Sequence, residues 1–444
     1  MNYSTNSKLR KFYLKTMGCQ MNEHDSETII GILTGLNFIP TDDYKEADLI
    51  LYNTCCVRDN PVRKVYGHIN SFKSLKEQKP DLIIGICGCM TQHKQELENI
   101  KERLPHVDLI FGTHNIYRLP ELMKRVDNGE RVIEVWDEAE DMVENLPVKR
   151  GHSIKAFVNI IYGCTNYCSY CIVPYTRGRE RSREPEAIVS EVKNLARIGY
   201  KEITLLGQNV NAYGKDIALD IDFAGLLTIL NEIPGIERIR FMTSHPKDMK
   251  DNLIEAMATL PKVCEHLHLP VQAGSDRILK MMNRGYTRSY YLKLVRKLRE
   301  AIGNISLTTD LIVGFPGETE EDFQQTLALV EEVGFSSAFT FIYSPRSGTP
   351  AAKMQEQIPE DVKKQRIYKL IELQNKISLN HMQSLVGETI ELLVDEYMPE
   401  SNLLSGRTRT NKQILFSGSP DLISKLVQIK ITEAKTWSLR GQLI

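Results

Sequence analysis

From Lys11 to about Val135 short apolar runs alternate with amphipathic stretches, the rhythm of βα units feeding a parallel sheet. The strands predicted there are 12–17, 48–54, 81–86, 107–112 and 131–135. After the first of them Ile29, Ile30, Leu33 and Leu36 recur at helical spacing. A small doubly wound α/β domain is expected over 10–130. The acidic, Pro-containing stretch 137–147 has no periodicity and reads as a linker. A second series of strands follows at 156–162, 202–208, 238–243, 266–271, 306–313 and 338–343, with helical patterns between them. Six βα units imply a partial (β/α)6 barrel within 150–380. Past Gly317, Thr319 and Asp322 form a capping-box pattern, Phe323, Leu327 and Val330 share a face, and Gly334 closes the helix. Pro359 opens a long helix to about Ser384. Runs at 389–394, 413–416 and 426–431 then read as strands of a small β domain over 383–444, with room for about five short strands. The fold class expected is therefore α/β with a small C-terminal β-barrel.

A chain of 444 residues with 42% hydrophobic residues can bury two or three cores. Formal net charge is −1, so a nucleic acid would be held by local patches rather than by a basic whole. The stretch 1–15 is polar and basic, and no run approaches the roughly 18 apolar residues of a membrane span. A cytoplasmic protein with no membrane partner is expected. In that reducing compartment the nine cysteines read as metal-binding or catalytic rather than disulfide-forming.

Cys164-Thr-Asn-Tyr-Cys168-Ser-Tyr-Cys171 lies just after the first barrel strand, on a loop opened by Gly163. Three thiolates hold three irons of a [4Fe–4S] cluster that usually takes four cysteines, which leaves one iron open for a substrate or cofactor. A zinc site or a purely structural cluster is the alternative, although zinc sites want four closed ligands or three plus water. The spacing, and Tyr170 immediately before the last cysteine, resemble the signature of the radical S-adenosylmethionine superfamily. That resemblance implies S-adenosylmethionine on the open iron, cleaved by one electron from the cluster to a deoxyadenosyl radical. Strand ends of such a barrel face the active site, so Gln208, Asn209, Thr243, Ser244 and Gln272 are candidates for ribose and amino-acid contacts, with Tyr170 beside them. Polar residues at strand ends also serve simply as turn formers. The Gly314-Phe-Pro-Gly-Glu318 turn divides the same way, between a cofactor contact and a βα loop.

Cys19, Cys55 and Cys89 each sit just past the C-terminal end of one of the first three predicted strands. In a parallel sheet those ends share one edge, where open α/β folds build ligand sites, so three thiols distant in sequence converge there. Cys87 and Cys264 read as buried small hydrophobes. Cys56, directly after Cys55, is expected on the other side of an extended segment in a structural role.

The runs Lys15-Thr-Met-Gly-Cys19-Gln-Met-Asn22, Asn53-Thr-Cys55-Cys-Val-Arg58 and Gly88-Cys89-Met90, followed by the triplet, resemble the radical methylthiotransferases over almost the whole chain. Leu206-Gly-Gln-Asn-Val-Asn211, Thr243-Ser-His-Pro246 and His268-Leu-Pro-Val-Gln-Ala-Gly-Ser-Asp276 look like the tRNA branch of that family. The ribosomal-protein branch usually has Pro and Lys after the first cysteine. The resemblance implies two [4Fe–4S] clusters, one on Cys164, Cys168 and Cys171 and an auxiliary one on Cys19, Cys55 and Cys89. It implies methylthiolation of C2 of N6-isopentenyladenosine at position 37 of tRNA, with two S-adenosylmethionine molecules consumed. Other methylthiotransferase substrates, threonylcarbamoyladenosine in tRNA or a ribosomal-protein aspartate, remain open, as does a non-catalytic iron–sulfur RNA-binding or redox-sensing protein. The C-terminal domain resembles a TRAM domain, whose basic loop Gly406-Arg-Thr-Arg-Thr-Asn-Lys412 makes Arg407, Arg409 and Lys412 RNA candidates. Arg177 and Arg179, with Arg181 and Arg183, either line an RNA groove or stay in water. A monomer supplied by an electron-donor protein is expected.

Overall fold

A computed structural model of the chain describes residues 9–56, 59–138, 143–151 and 154–444. Residues 139–142 of the predicted linker, 57–58 of the second cysteine motif and 1–8 of the basic N-terminal stretch lie outside the described residues. The chain forms two compact units. One comprises the chain up to Gly151 together with Tyr162–Thr165 and Cys171–Arg183, and the other comprises the remainder.

The first unit is built on six parallel strands, β1 (Arg10–Met17), β2 (Phe38–Pro40), β3 (Leu49–Thr54), β4 (Ile83–Gly88), β5 (Leu109–Phe111) and β6 (Val132–Glu134). They lie side by side in the order β2-β1-β3-β4-β5-β6. Period-two alternation divides the core between the two faces of this sheet. Leu49, Leu51 and Leu109 pack on one face with Ile29 and Leu33 of the helix Gln20–Gly35, while Ile50, Ile84 and Ile110 pack on the other with Val65, Ile69 and Ile100. The five predicted strands are present with shifted ends. β2, three residues ending in proline, carries too little pattern to be read from the chain.

In the second unit the parallel strands β7 (Lys155–Asn159), β8 (Glu202–Leu206), β9 (Arg238–Phe241), β10 (His266–His268), β11 (Ser306–Val313) and β12 (Ser337–Ile342) follow one another with helices between. β8 pairs with β7 and β9, and β11 with β10 and β12. A bridge from Ile239 to Val263, just ahead of β10, joins the two halves into one partial barrel. The helix Glu320–Val333 carries the predicted capping box, with Thr319 accepting from the Asp322 amide and Gly334 closing it in the left-handed region. A long helix, Glu360–Gln383, starts after Pro359 and leads into a closed barrel of five strands, β13 (Thr389–Met398), β14 (Leu403–Thr408), β15 (Gln413–Phe416), β16 (Leu426–Ala434) and β17 (Leu439–Leu443). No helix among the described residues is long and apolar enough to cross a membrane.

Candidate cluster and cofactor sites

Three strand ends of the first sheet stand in register, Met17 beside Thr54 and Thr54 beside Gly88. Each leads directly to a cysteine of the second set, Cys19, Cys55 or Cys89. Cys19 is exposed at the N-cap of the helix Gln20–Gly35, whereas Cys55 and Cys89 are buried. Gly88 makes the turn into Cys89 at φ 96°, where a Cβ would run into the Thr54 carbonyl beside Cys55. Asn22, fully buried, ties the edge together. Its Oδ1 lies 3.5 Å from Cys19 Sγ and 4.0 Å from Cys89 Sγ, and its Nδ2 donates to Asn53 Oδ1 and the Thr54 carbonyl. Burial pushes the Cys89 thiol above its ordinary value, and Arg177, whose Nε donates to Cys89 Sγ at 3.1 Å, opposes that rise.

Two expectations change here. Cys56 does not turn away: it packs against Cys89 and Ile172, because the strand ends at Thr54 and its alternation ends with it. Arg177 is 4% exposed and paired with Asp25 at 2.6 Å, so it belongs to the interior and not to an RNA-facing surface. Arg183 is likewise buried against Glu144, while Arg179 is exposed. Cys87 and Cys264 are buried, as expected for small hydrophobes.

Of the triplet, Cys164 and Cys171 belong to the first unit and Cys168 to the second. Gly163, at φ 76°, passes so close to the Arg179 carbonyl that no Cβ fits, and the Cys164 amide donates to the Gly178 carbonyl at 3.1 Å. Cys168 is buried and its Sγ accepts from Arg284 Nη1 at 3.3 Å. The same guanidinium is 5% exposed and donates to the Pro270 carbonyl at 2.8 Å, the Tyr286 hydroxyl at 3.0 Å and the Tyr170 hydroxyl at 3.4 Å. Ser169 fastens the loop to the carbonyls of Met281 and Met282. Arg284 was not singled out in the sequence. Its run, Met282-Asn-Arg-Gly-Tyr286, follows a short helix and offers no spacing that marks it.

Just past β8, β9 and β10, four buried polar atoms have no hydrogen-bond partner among the described residues: Asn209 Oδ1, Ser244 Oγ, His245 Nε2 and Gln272 Oε1. An unsatisfied buried group of this kind costs about 1–3 kcal/mol, so such atoms at successive strand ends suit a polar ligand. Thr243 and Gln272 are held in the left-handed region, at φ 70° and 74°, a strain that non-glycine residues keep mainly at functional sites. Asn209 is oriented by Asp248, to which its Nδ2 donates at 2.7 Å. Gln208 is half-buried. Glu318 closes the Gly314–Glu318 turn, its Oε2 accepting from the Gly314 and Phe315 amides and its Oε1 from Arg366. Among the described residues no three His, Cys, Asp or Glu side chains are grouped to hold a single metal ion.

In the basic loop, Arg409 forks onto Glu265 and donates to the Val263 carbonyl at 2.7 Å. Arg238 and Arg240 reach back from β9 to the carbonyls of Arg407, Thr408 and Arg409. Arg409 therefore fastens the small barrel to the (β/α) barrel, and is not a free cation for RNA. Arg407 and Lys412 are half-buried.

Comparison with known proteins extends these observations. Residues 158–330 match the radical SAM superfamily, 11–112 an uncharacterized protein family (UPF0004) and 383–444 the TRAM domain. A tRNA-2-methylthio-N(6)-dimethylallyladenosine synthase from Alkaliphilus oremlandii is 56% identical over 439 residues, 98% of this chain and 93% of that one. The protein of the same name from Desulforamulus reducens is 55% identical over 445 residues, 100% of this chain and 97% of that one. Among solved structures, the radical S-adenosylmethionine methyltransferase TsrM from Kitasatospora setae, with cobalamin and a [4Fe-4S] cluster bound, shares the fold at a TM-score of 0.57 and 16% identity, over 78% of this chain and 77% of that one. Cobalamin-dependent OxsB shares it at 0.52 and 16% identity, over 83% of this chain and 56% of that one. Identity of this degree over nearly the whole length, on a chain whose three sequence segments match in order, places the protein in the family of tRNA-2-methylthio-N6-dimethylallyladenosine synthases, which are radical S-adenosylmethionine methylthiotransferases.

Proposed function

We propose that this chain transfers a methylthio group to C2 of N6-isopentenyladenosine at position 37 of tRNA, consuming two molecules of S-adenosylmethionine. The observation that carries the substrate is the identity of more than half of all positions, across nearly the full length, with synthases of that name. Cys164, Cys168 and Cys171 would hold one [4Fe–4S] cluster, and Cys19, Cys55 and Cys89 a second. When bound, the first supplies the electron that cleaves S-adenosylmethionine, and the second presents the sulfur to be transferred.

The chain's own residues orient and shield. Arg284 fixes the Cys168 sulfur while anchored on Pro270, so the ligand keeps its direction. Asn209, Ser244 and Gln272 offer unpartnered polar atoms to the ribose and amino-acid groups of the cofactor, and Thr243, Gln208 and Tyr170 are the other residues we assign to those contacts. Arg179, exposed in the first unit, and Arg407 and Lys412 of the small barrel are the cations left for phosphate contacts. We place the enzyme in the cytoplasm as a monomer served by an electron-donor protein. The test is mass spectrometry of nucleosides from tRNA incubated with the reconstituted, reduced protein and S-adenosylmethionine. A methylthio derivative of isopentenyladenosine is expected, and release of deoxyadenosine without any modified nucleoside would overturn the substrate.

A further inference from the structure

Arg177 is a buried, multiply bonded side chain beside the second cysteine set, and the transfer reaction as described leaves it without a task. It stands at the C-cap of the short helix Val173–Thr176, in the segment that leaves Cys171. Ile172 of that segment packs against Cys56 and Cys89. Arg177 Nη2 donates to Asp25 Oδ2 at 2.6 Å and lies 3.5 Å from Asn22 Oδ1, while its Nε donates to Cys89 Sγ at 3.1 Å. Arg177, Asp25 and Asn22 are all at least 95% buried. Asn22 Oδ1 also lies 3.5 Å from Cys19 Sγ and its Nδ2 donates to Asn53 Oδ1 and the Thr54 carbonyl, so one network links the Cys19 and Cys89 thiols to the residue ahead of Cys55.

Burying a guanidinium is costly unless it is paired and its N–H groups are used. Asp25 answers the charge. The planar fork then leaves Nε aimed at sulfur, a contact that a lysine could not make together with the Asp25 pair. Hydrogen bonds to cluster sulfurs and nearby charge shift the reduction potential of an iron–sulfur site, and outer-shell partners of metal ligands govern their orientation. We infer that Arg177 is a positioning residue of the auxiliary site, holding the Cys89 sulfur in place and setting the potential of the cluster there through the charge balance it makes with Asp25. The inference rests on the reading that Cys19, Cys55 and Cys89 hold a cluster.

The experiment uses the full chain with Cys164, Cys168 and Cys171 replaced by alanine, reconstituted anaerobically with iron and sulfide, and follows the remaining cluster by EPR during a redox titration. Arg177→Gln should lower the midpoint potential, because a positive charge and a donor are lost, and Asp25→Asn should raise it, because a negative charge is lost. The double variant, which leaves no unpaired buried charge, should lie between them. In the chain with all its cysteines, Arg177→Gln should reduce the methylthio product about 10- to 100-fold. Potentials that stay together in all four chains would overturn the inference while leaving the ligand assignment intact. A double variant that keeps its fold by circular dichroism but binds no iron would also overturn it, in favour of a purely structural role. Absence of any cluster from the parent chain would instead remove the ligand assignment, and the inference with it.

Discussion

The two thiol sets are built in opposite ways. Cys164, Cys168 and Cys171 come from one loop, and their spacing is legible in that loop alone. Cys19, Cys55 and Cys89 come from three strands, and only the register that sets Met17, Thr54 and Gly88 side by side gives them a common edge. Yet the surroundings converge. A glycine at positive φ precedes Cys164 and another precedes Cys89, and a buried arginine donates to one sulfur of each set, Arg284 to Cys168 and Arg177 to Cys89. Ligand spacing is thus free to vary, while the demand for a bent backbone and a donor to sulfur is not.

The largest effects should come from removing one thiol of each set. Cys168→Ala is expected to abolish both deoxyadenosine release and methylthio product, whereas Cys89→Ala should keep the release and lose the product. Chromatography of deoxyadenosine beside nucleoside mass spectrometry reads both, and equal loss of cleavage in the two variants would erase the division between the sets. Next in size, Arg284→Gln should slow cofactor cleavage about 10- to 100-fold by loosening Cys168, measured as single-turnover deoxyadenosine formation. Gly88→Ala and Gly163→Ala each force a Cβ into a backbone carbonyl and should destabilise by about 1–3 kcal/mol, seen as an earlier thermal unfolding transition. A milder effect in Gly163→Ala alone would mean that the loop relaxes where the sheet edge does not.

The smallest expected effect lies away from both sets, at the capping box. Burial alone would raise the Asp322 carboxyl, but hydrogen bonds from Arg277, Ser275 and Thr319 outweigh it and hold the carboxyl below its ordinary value of 3.8. A depressed carboxylate stabilises the fold above its unfolded value and loses that contribution as pH falls. Asp322→Asn should therefore cost about 1–2 kcal/mol at neutral pH, and its gap from the unsubstituted chain should begin to narrow below about pH 4 and keep narrowing as pH falls toward the folded value. Urea titrations at pH 7 and pH 3 check the sign.

Much of the frame could be read directly. The parallel strands, the capping box at Thr319 and the long helix after Pro359 follow from periodicity and caps that act within one turn or one strand. The ends of strands were less legible. The run predicted to Gln208 stops at Leu206, and the one predicted to Thr243 stops at Phe241, because the hydrophobic pattern continues into loops whose backbone is decided by what packs around them. Charge was the least legible signal of all. Arg177 and Arg409 look like surface cations in the chain, but Asp25 and Glu265, distant in sequence, draw one into the interior and the other into a fixed ion pair.

By itself the sequence determined the close spacing of Cys164, Cys168 and Cys171 and the α/β order of elements, since each depends on a pattern within a single segment. Tertiary structure alone decided that Cys56 packs on Cys89, that Asn209 Oδ1, Ser244 Oγ, His245 Nε2 and Gln272 Oε1 are buried without a hydrogen-bond partner among the described residues, and that Arg177 and Arg284 each meet a sulfur. Those outcomes depend on burial and on partners brought from far along the chain, and a local pattern carries no record of either.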